Sequence, residues 1–158
     1  MAANVLRFAL FGKEFQAGKT VSIHRLIDSL KARGAEIYIE RTFFQYITSA
    51  LGMEVEVSGV FDNYNFDVDF VISIGGDGTF LRAASMVGSK GTPIIGVNTG
   101  RLGFLADIHP DEIDHAIAEI VDGHYAVEPH AVIMVEADGE IIEGSPFALN
   151  DIAVLKRD

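Results

Sequence analysis

The sequence predicts an α/β fold: an open, mostly parallel sheet flanked by helices, followed by the truncated start of a β-rich second domain. Three observations carry this expectation. Strand-like and helix-like patterns alternate through the first fifty or so residues. Residues 68–74 are almost continuously apolar, as in a central parallel strand covered on both faces. After Gly123 the texture changes to short strand-like runs broken by turn formers. The division expected is an α/β domain over 1–123 and the beginning of an incomplete β-rich domain over 124–158.

The elements follow in order. The first strand covers 5–11, and a helix covers 20–33, with Thr20 as N-cap, Ile23, Leu26, Ile27 and Leu30 on its apolar face, and Gly34 as stop. A short strand over 36–39 precedes a short helical pattern through Phe44, Ile47 and Leu51. Residues 52–67 are acidic and rich in turn formers, so they read as a loop with room for one edge strand. Beyond the strand at 68–74, Phe80, Ala83, Ala84 and Val87 form a helical stripe, and 93–97 supply another buried strand. The helix at 110–121 opens on Pro110, carries Asp111 and Glu112 in its first turn and stops before Gly123. Residues 132–135 and 140–143 flank Asp138 and Gly139, a dipeptide favoured in two-residue hairpin turns, and 147–155 read as a further strand.

Composition bounds the function. With 158 residues and 49% hydrophobic content the chain can bury a real core. No stretch near twenty residues is free of charge, and Met1 opens onto a strand rather than a basic apolar leader. The expectation is therefore no membrane span, no signal peptide and a cytoplasmic location. The absence of cysteine removes disulfides and thiolate nucleophiles, and the histidines at 24, 109, 115, 124 and 130 lack metal-ligand spacing, so no protein-held metal is expected. A net charge of -11 argues against a nucleic-acid partner and opposes anionic nucleotides at long range. Any phosphate must then be held locally, by backbone amides, a few placed cations and a divalent metal carried on the nucleotide.

One segment points to such a site. Gly75, Gly76, Asp77, Gly78 and Thr79 join the most apolar strand to a helix. Bare backbone lets N–H groups approach a ligand, and the helix start adds unpaired donors and a partial positive charge. A carboxylate there needs a task, and Asp77 can be a general base accepting a proton from an attacking hydroxyl in phosphoryl transfer. The plainer alternative is an Asx-turn residue bonding its own backbone. Thr79 fits an N-cap, and Arg82 lies three positions later on the same face, as a phosphate-pairing guanidinium or a solvated surface Arg. Gly12, Gly18, Lys19 and Thr20 mimic a P-loop, but five residues separate the glycines where that pattern has four, so they read as an ordinary βα loop.

Gly75 to Thr79, then the stretch NTGRLGFL at 98–105, then Asn150 and Asp151 resemble the ordered motifs of the NAD kinase family. The first motif is shared with diacylglycerol and sphingosine kinases and phosphofructokinases, and the second sets this chain apart from them. The resemblance implies transfer of the terminal phosphoryl of ATP, carried with a divalent metal such as Mg2+, to the 2′-hydroxyl of the adenosine ribose of NAD, giving NADP. It implies Asp77 as base, Gly76, Gly78 and Thr79 as the phosphate cradle, Arg82 as a nucleotide contact and Phe104 as a wall of the adenine pocket, where a core phenylalanine is the alternative. Asn150 and Asp151 match an Asn-Glu pair that holds ribose hydroxyls, here with an acid one methylene shorter, where a turn-forming pair at a strand edge is the alternative. His130 stands where members often carry Arg. Members continue into a β-rich half that completes the NAD site and supplies subunit contacts, so a homo-oligomer is expected of the full-length protein and little activity of this stretch alone. The alternatives are a lipid kinase domain and a non-catalytic nucleotide-binding module.

Overall fold

The computed structural model describes residues 5–14, 20–100, 103–139 and 144–150. Five strands form one sheet: β1 (Arg7–Gly12), β2 (Glu36–Glu40), β3 (Gly59–Phe61), β4 (Phe70–Gly75) and β5 (Ile94–Asn98). Their order is β3-β2-β1-β4-β5, and every pairing is parallel. β3 is the edge strand that the 52–67 segment had room for. β4 starts at Phe70, two residues later than the apolar run suggests. Asp69 instead closes the ladder's start: its carboxylate accepts the Arg7 N–H at 2.7 Å, and its own N–H donates to the Arg7 carbonyl.

Strand alternation sends the side chains to two packed layers. On one face Phe8, Leu10, Ile37, Ile39, Phe70, Ile72 and Ile74 meet α1 (Thr20–Ala32) and α4 (Ile113–Val121) through Ile23, Leu26, Leu30 and Ile117. The other face sends Ala9, Phe11 and Val71 against Ala83 and Val87 of α3 (Asp77–Val87). Asp114 locks α1 to α4, accepting from Ser29 Oγ at 2.7 Å and Arg33 Nη1 at 3.0 Å.

Two sequence expectations change in detail, and a third lies partly outside the described residues. α2 (Arg41–Gln45) runs into a π-helical turn, Tyr46–Ala50, and the residue it buries is Phe43 rather than Phe44. Phe43 lies four residues before buried Ile47, so these two share the inward face. The 110–121 helix begins with a 3-10 turn, Pro110–Glu112, closed by a capping box between His109 and Glu112. Finally, among the described residues β6 (Val132–Met134) pairs antiparallel with β7 (Phe147–Leu149). Asp138 and Gly139 do form a turn, but residues 140–143 and 151–155, assigned to strands from sequence, lie outside the described residues.

Candidate functional site

The order in which strands are added reverses between β1 and β4: β2 and β3 lie to one side of this pair and β5 to the other. Ligands in open α/β sheets collect outside the carboxyl ends of the strands at such a switch point. Those ends here are Gly12 of β1 and Gly75 of β4, one residue apart in register. The turn after Gly75 begins α3 with Gly76 as the capping residue in an extended conformation, and the Gly76 carbonyl accepts the N–H groups of Thr79 and Phe80 at 3.1 Å. Thr79 is therefore not the N-cap. It lies one turn inside, buried, with its side chain occupying the space that a Cβ at Gly75 would need. Asp77 takes the first helical position, where a carboxylate complements the helix dipole.

The second Gly-rich loop folds back onto this turn. From β5 the chain leaves at Asn98 and returns so that Ile108 bridges Val97, with Gly96 and Ala106 in contact. The return brings the Phe104 N–H to Asp77 Oδ2 at 2.9 Å and the Leu105 N–H to Oδ1 at 3.1 Å. These bonds, with a further one from the Ala106 N–H, hold the Asp77 carboxyl below its ordinary range and keep it ionised. Asp77 thus binds a loop 27 and 28 residues away, which sets aside the local Asx-turn alternative. Gly103 is required at this approach, because a Cβ there would lie 2.3 Å from Asp77 Oδ1.

Arg82 is also placed. Its Nη2 donates to Glu40 Oε1 at 2.7 Å, and its side chain is 40% exposed while that of Glu40 is 6% exposed. The guanidinium is neither free nor simply solvated. Phe104, by contrast, is 97% exposed, so it is not a core phenylalanine. Asn150 adopts a positive φ of 61°, donates its N–H to the Ala131 carbonyl and sets its side-chain amide 3.4 Å from His130 Nδ1. Its strand is tied to the far half of α3, where Ser145 Oγ donates to the Ser85 carbonyl and Phe147 fills the space beside Gly88. Among the described residues no hydrogen bond joins Asn150 to Asp77. Asp151, Arg101 and Leu102, like the P-loop mimic's Gly18 and Lys19, lie outside the described residues.

Cavities among the described residues include one of about 760 Å³ beside Lys31, Thr48 and residues 52–56, and one of about 730 Å³ beside β5, bordered by Phe80, Ile94, Tyr125 and His130. Neither is lined by Asp77, which is partly buried. Among the described residues no group of three or more His, Asp or Glu side chains is arranged to hold a metal ion, and no helix is long and apolar enough to cross a membrane.

Residues 10–125 match the ATP-NAD kinase N-terminal domain. The chain belongs to the NAD kinase family. It is 49% identical over 153 residues to an NAD kinase of Bacteroides fragilis, covering 97% of this chain and 53% of that protein. An NAD kinase of Porphyromonas gingivalis is 39% identical, with coverage of 96% and 52%. The chain thus spans about half the length of the curated relatives it matches. Among solved structures, a yeast NADH kinase complexed with NADH shares the fold at a TM-score of 0.66 and 16% identity, over 92% of this chain and 46% of that one. An NAD kinase from Archaeoglobus fulgidus in complex with ATP gives 0.54 and 25%, over 81% and 42%. Membership of the NAD kinase family sets aside the lipid-kinase alternative.

Sequence reasoning missed Glu40. The signal was an acid at the carboxyl end of a predicted strand, the edge where ligands gather, but its partner lies 42 residues away.

Proposed function

We propose that this chain supplies the phosphoryl-transfer half of an NAD kinase, which moves the terminal phosphoryl of ATP to the 2′-hydroxyl of the adenosine ribose of NAD. The observation that carries this reading is Asp77: an ionised carboxylate at the switch point, first residue of a helix, held by the N–H groups of the second motif. In the reaction the ribose 2′-oxygen attacks the γ-phosphorus, the bond to the β-phosphate oxygen breaks, ADP leaves, and the hydroxyl proton passes to Asp77. Each carboxylate oxygen has more than one lone-pair site, so the loop bonds leave Asp77 able to accept that proton. A base of lowered pKa suits a loose transition state, in which positioning and electrostatics supply most of the rate.

The remaining roles follow the family reading. Gly76, Gly78 and Thr79 form the phosphate cradle, and the Arg82 guanidinium faces the donor. The exposed Phe104 ring becomes a wall of the adenine pocket when nucleotide binds, and Asn150 with Asp151 holds the ribose hydroxyls. A divalent metal such as Mg2+, carried on ATP, would supply positive charge against that of the phosphates. Residues 1–123 act as the α/β nucleotide-binding domain and 124–158 as the start of the NAD-binding β domain, in a cytoplasmic enzyme whose full-length form is a homo-oligomer. The likeness to relatives twice as long supports the further reading that this stretch alone binds NAD weakly. A coupled NADP-formation assay, with and without Mg2+, on this chain and on the full-length protein tests the set. Metal-dependent NADP formation is expected from the full-length protein and little from the chain alone; robust turnover by the chain alone would overturn the half-site reading.

A further inference from the structure

Glu40 is the last residue of β2, beside β1, and is 4% exposed. A buried carboxylate costs several kcal/mol unless its oxygens are matched by donors. Both are matched here: Oε2 accepts the Phe43 N–H at 2.9 Å, capping α2, and Oε1 accepts Arg82 Nη2 at 2.7 Å. Arg82 stands on α3, which follows β4, whereas Glu40 ends β2; the strand between these two in the sheet is β1. The ion pair therefore spans the carboxyl end of β1 at the switch point, on the face of the sheet that α3 covers. On the opposite face that end is closed, since a Cβ at Gly12 would lie 2.3 Å from the Phe43 ring.

We infer that Glu40 is a positioning residue, holding the Arg82 guanidinium across the mouth of the crevice so that its outward N–H groups meet the phosphates of the donor nucleotide. This rests on the reading that Arg82 contacts that nucleotide. A free Arg side chain gives up rotamer entropy when it is fixed on a ligand. The Glu40 anchor removes part of that cost before the nucleotide arrives. The pair is neutral at a distance, yet its two ends differ in access: the carboxylate is covered, and the guanidinium is the end that meets solvent. Of five N–H donors, the bond to Glu40 uses one. In a protein of net charge -11, a cation fixed at the site is a local remedy for an unfavourable long-range field.

The test is a double-mutant cycle in the full-length enzyme with Arg82→Ala, Glu40→Gln and the double variant, reading KM for ATP, KM for NAD, kcat and thermal melting. Gln preserves an oxygen for the Phe43 N–H and removes the charge. Arg82→Ala is expected to raise KM for ATP about tenfold, the loss of one charge-assisted hydrogen bond. Glu40→Gln is expected to raise it about three- to tenfold with KM for NAD unchanged, and the double variant to match Arg82→Ala alone. Should Glu40→Gln fold poorly, Glu40→Asp keeps the charge but falls one methylene short, and the same rise in KM for ATP is expected. A wild-type KM in the Glu40 variants while Arg82→Ala raises it would overturn the inference. So would a fall in KM, which would mean that Glu40 competes with phosphate for Arg82. A wild-type KM in Arg82→Ala itself would instead remove the nucleotide contact on which the inference rests.

Discussion

The two sheets of this chain are built to different standards. In the five-stranded sheet, β1 and β4 are buried almost end to end, and both faces are covered by helices. In the two-stranded sheet, Val132, Ile133 and Met134 are 43%, 38% and 53% exposed. Two strands alone make a marginal sheet, and its apolar side chains, Val132 and Met134 on one face and Ile133 on the other, stand partly uncovered among the described residues. The difference divides the site as well. Asp77 and its loop rest on the finished layer, whereas Asn150 ends a strand of the unfinished one. The proposed function accordingly assigns catalytic geometry to the first region and acceptor binding to the second.

The largest contrast is expected in stability. Leu30→Ala, in the fully buried layer, should cost about 3 kcal/mol, read as a shift in denaturant midpoint. Ile133→Ala in the exposed sheet should stay within about 0.5 kcal/mol. Equal losses would erase the distinction. Next comes the division of roles. Gly103→Ala forces the loop and the Asp77 carboxylate apart, and a displacement of this kind should lower kcat of the full-length enzyme about 100-fold. Asn150→Ala should raise KM for NAD about tenfold while moving kcat less. If Asn150→Ala lowers kcat alone, the second region contributes to chemistry and the division fails.

The smallest expected effect is on pH dependence. The backbone bonds from the second loop lower the Asp77 pKa, so the folded state binds fewer protons there than the unfolded chain. The resulting stability is complete above the ordinary carboxyl pKa, declines as pH drops below it and is gone once pH falls beneath the depressed folded value. The gap in melting temperature between wild type and Asp77→Asn should accordingly be widest near neutrality and close under acid; a constant gap would deny the clasp. The same lowered pKa keeps the Asp77 carboxyl ionised near neutrality, so kcat/KM of the full-length protein should show no acid limb from Asp77 there.

The parallel sheet was legible because its strands are apolar runs and its helices carry clear stripes, both local signals. The short edge strand and α2 were harder: three- and five-residue elements have too little periodicity to fix their inward residue. Asp77 stood out by its glycines, but the clasp on it is made by backbone N–H groups, which leave no trace in residue type. The Glu40–Arg82 pair depends on strand order, which a reading along the chain does not supply. β6 pairs with β7, whereas residues 140–143, the hairpin partner suggested by Asp138 and Gly139, lie outside the described residues.

The central claim is that Asp77 takes the ribose proton while also holding the loop that carries Phe104. Turnover and NAD binding measured together on Asp77→Asn and Asp77→Ala in the full-length enzyme test it most directly. Losses in kcat of about 10²–10⁴ are expected in both, with NAD affinity weakened more by Ala, which keeps no acceptor for the Phe104 and Leu105 N–H groups. Wild-type turnover in Asp77→Asn would contradict the account and remove Asp77 from the chemistry.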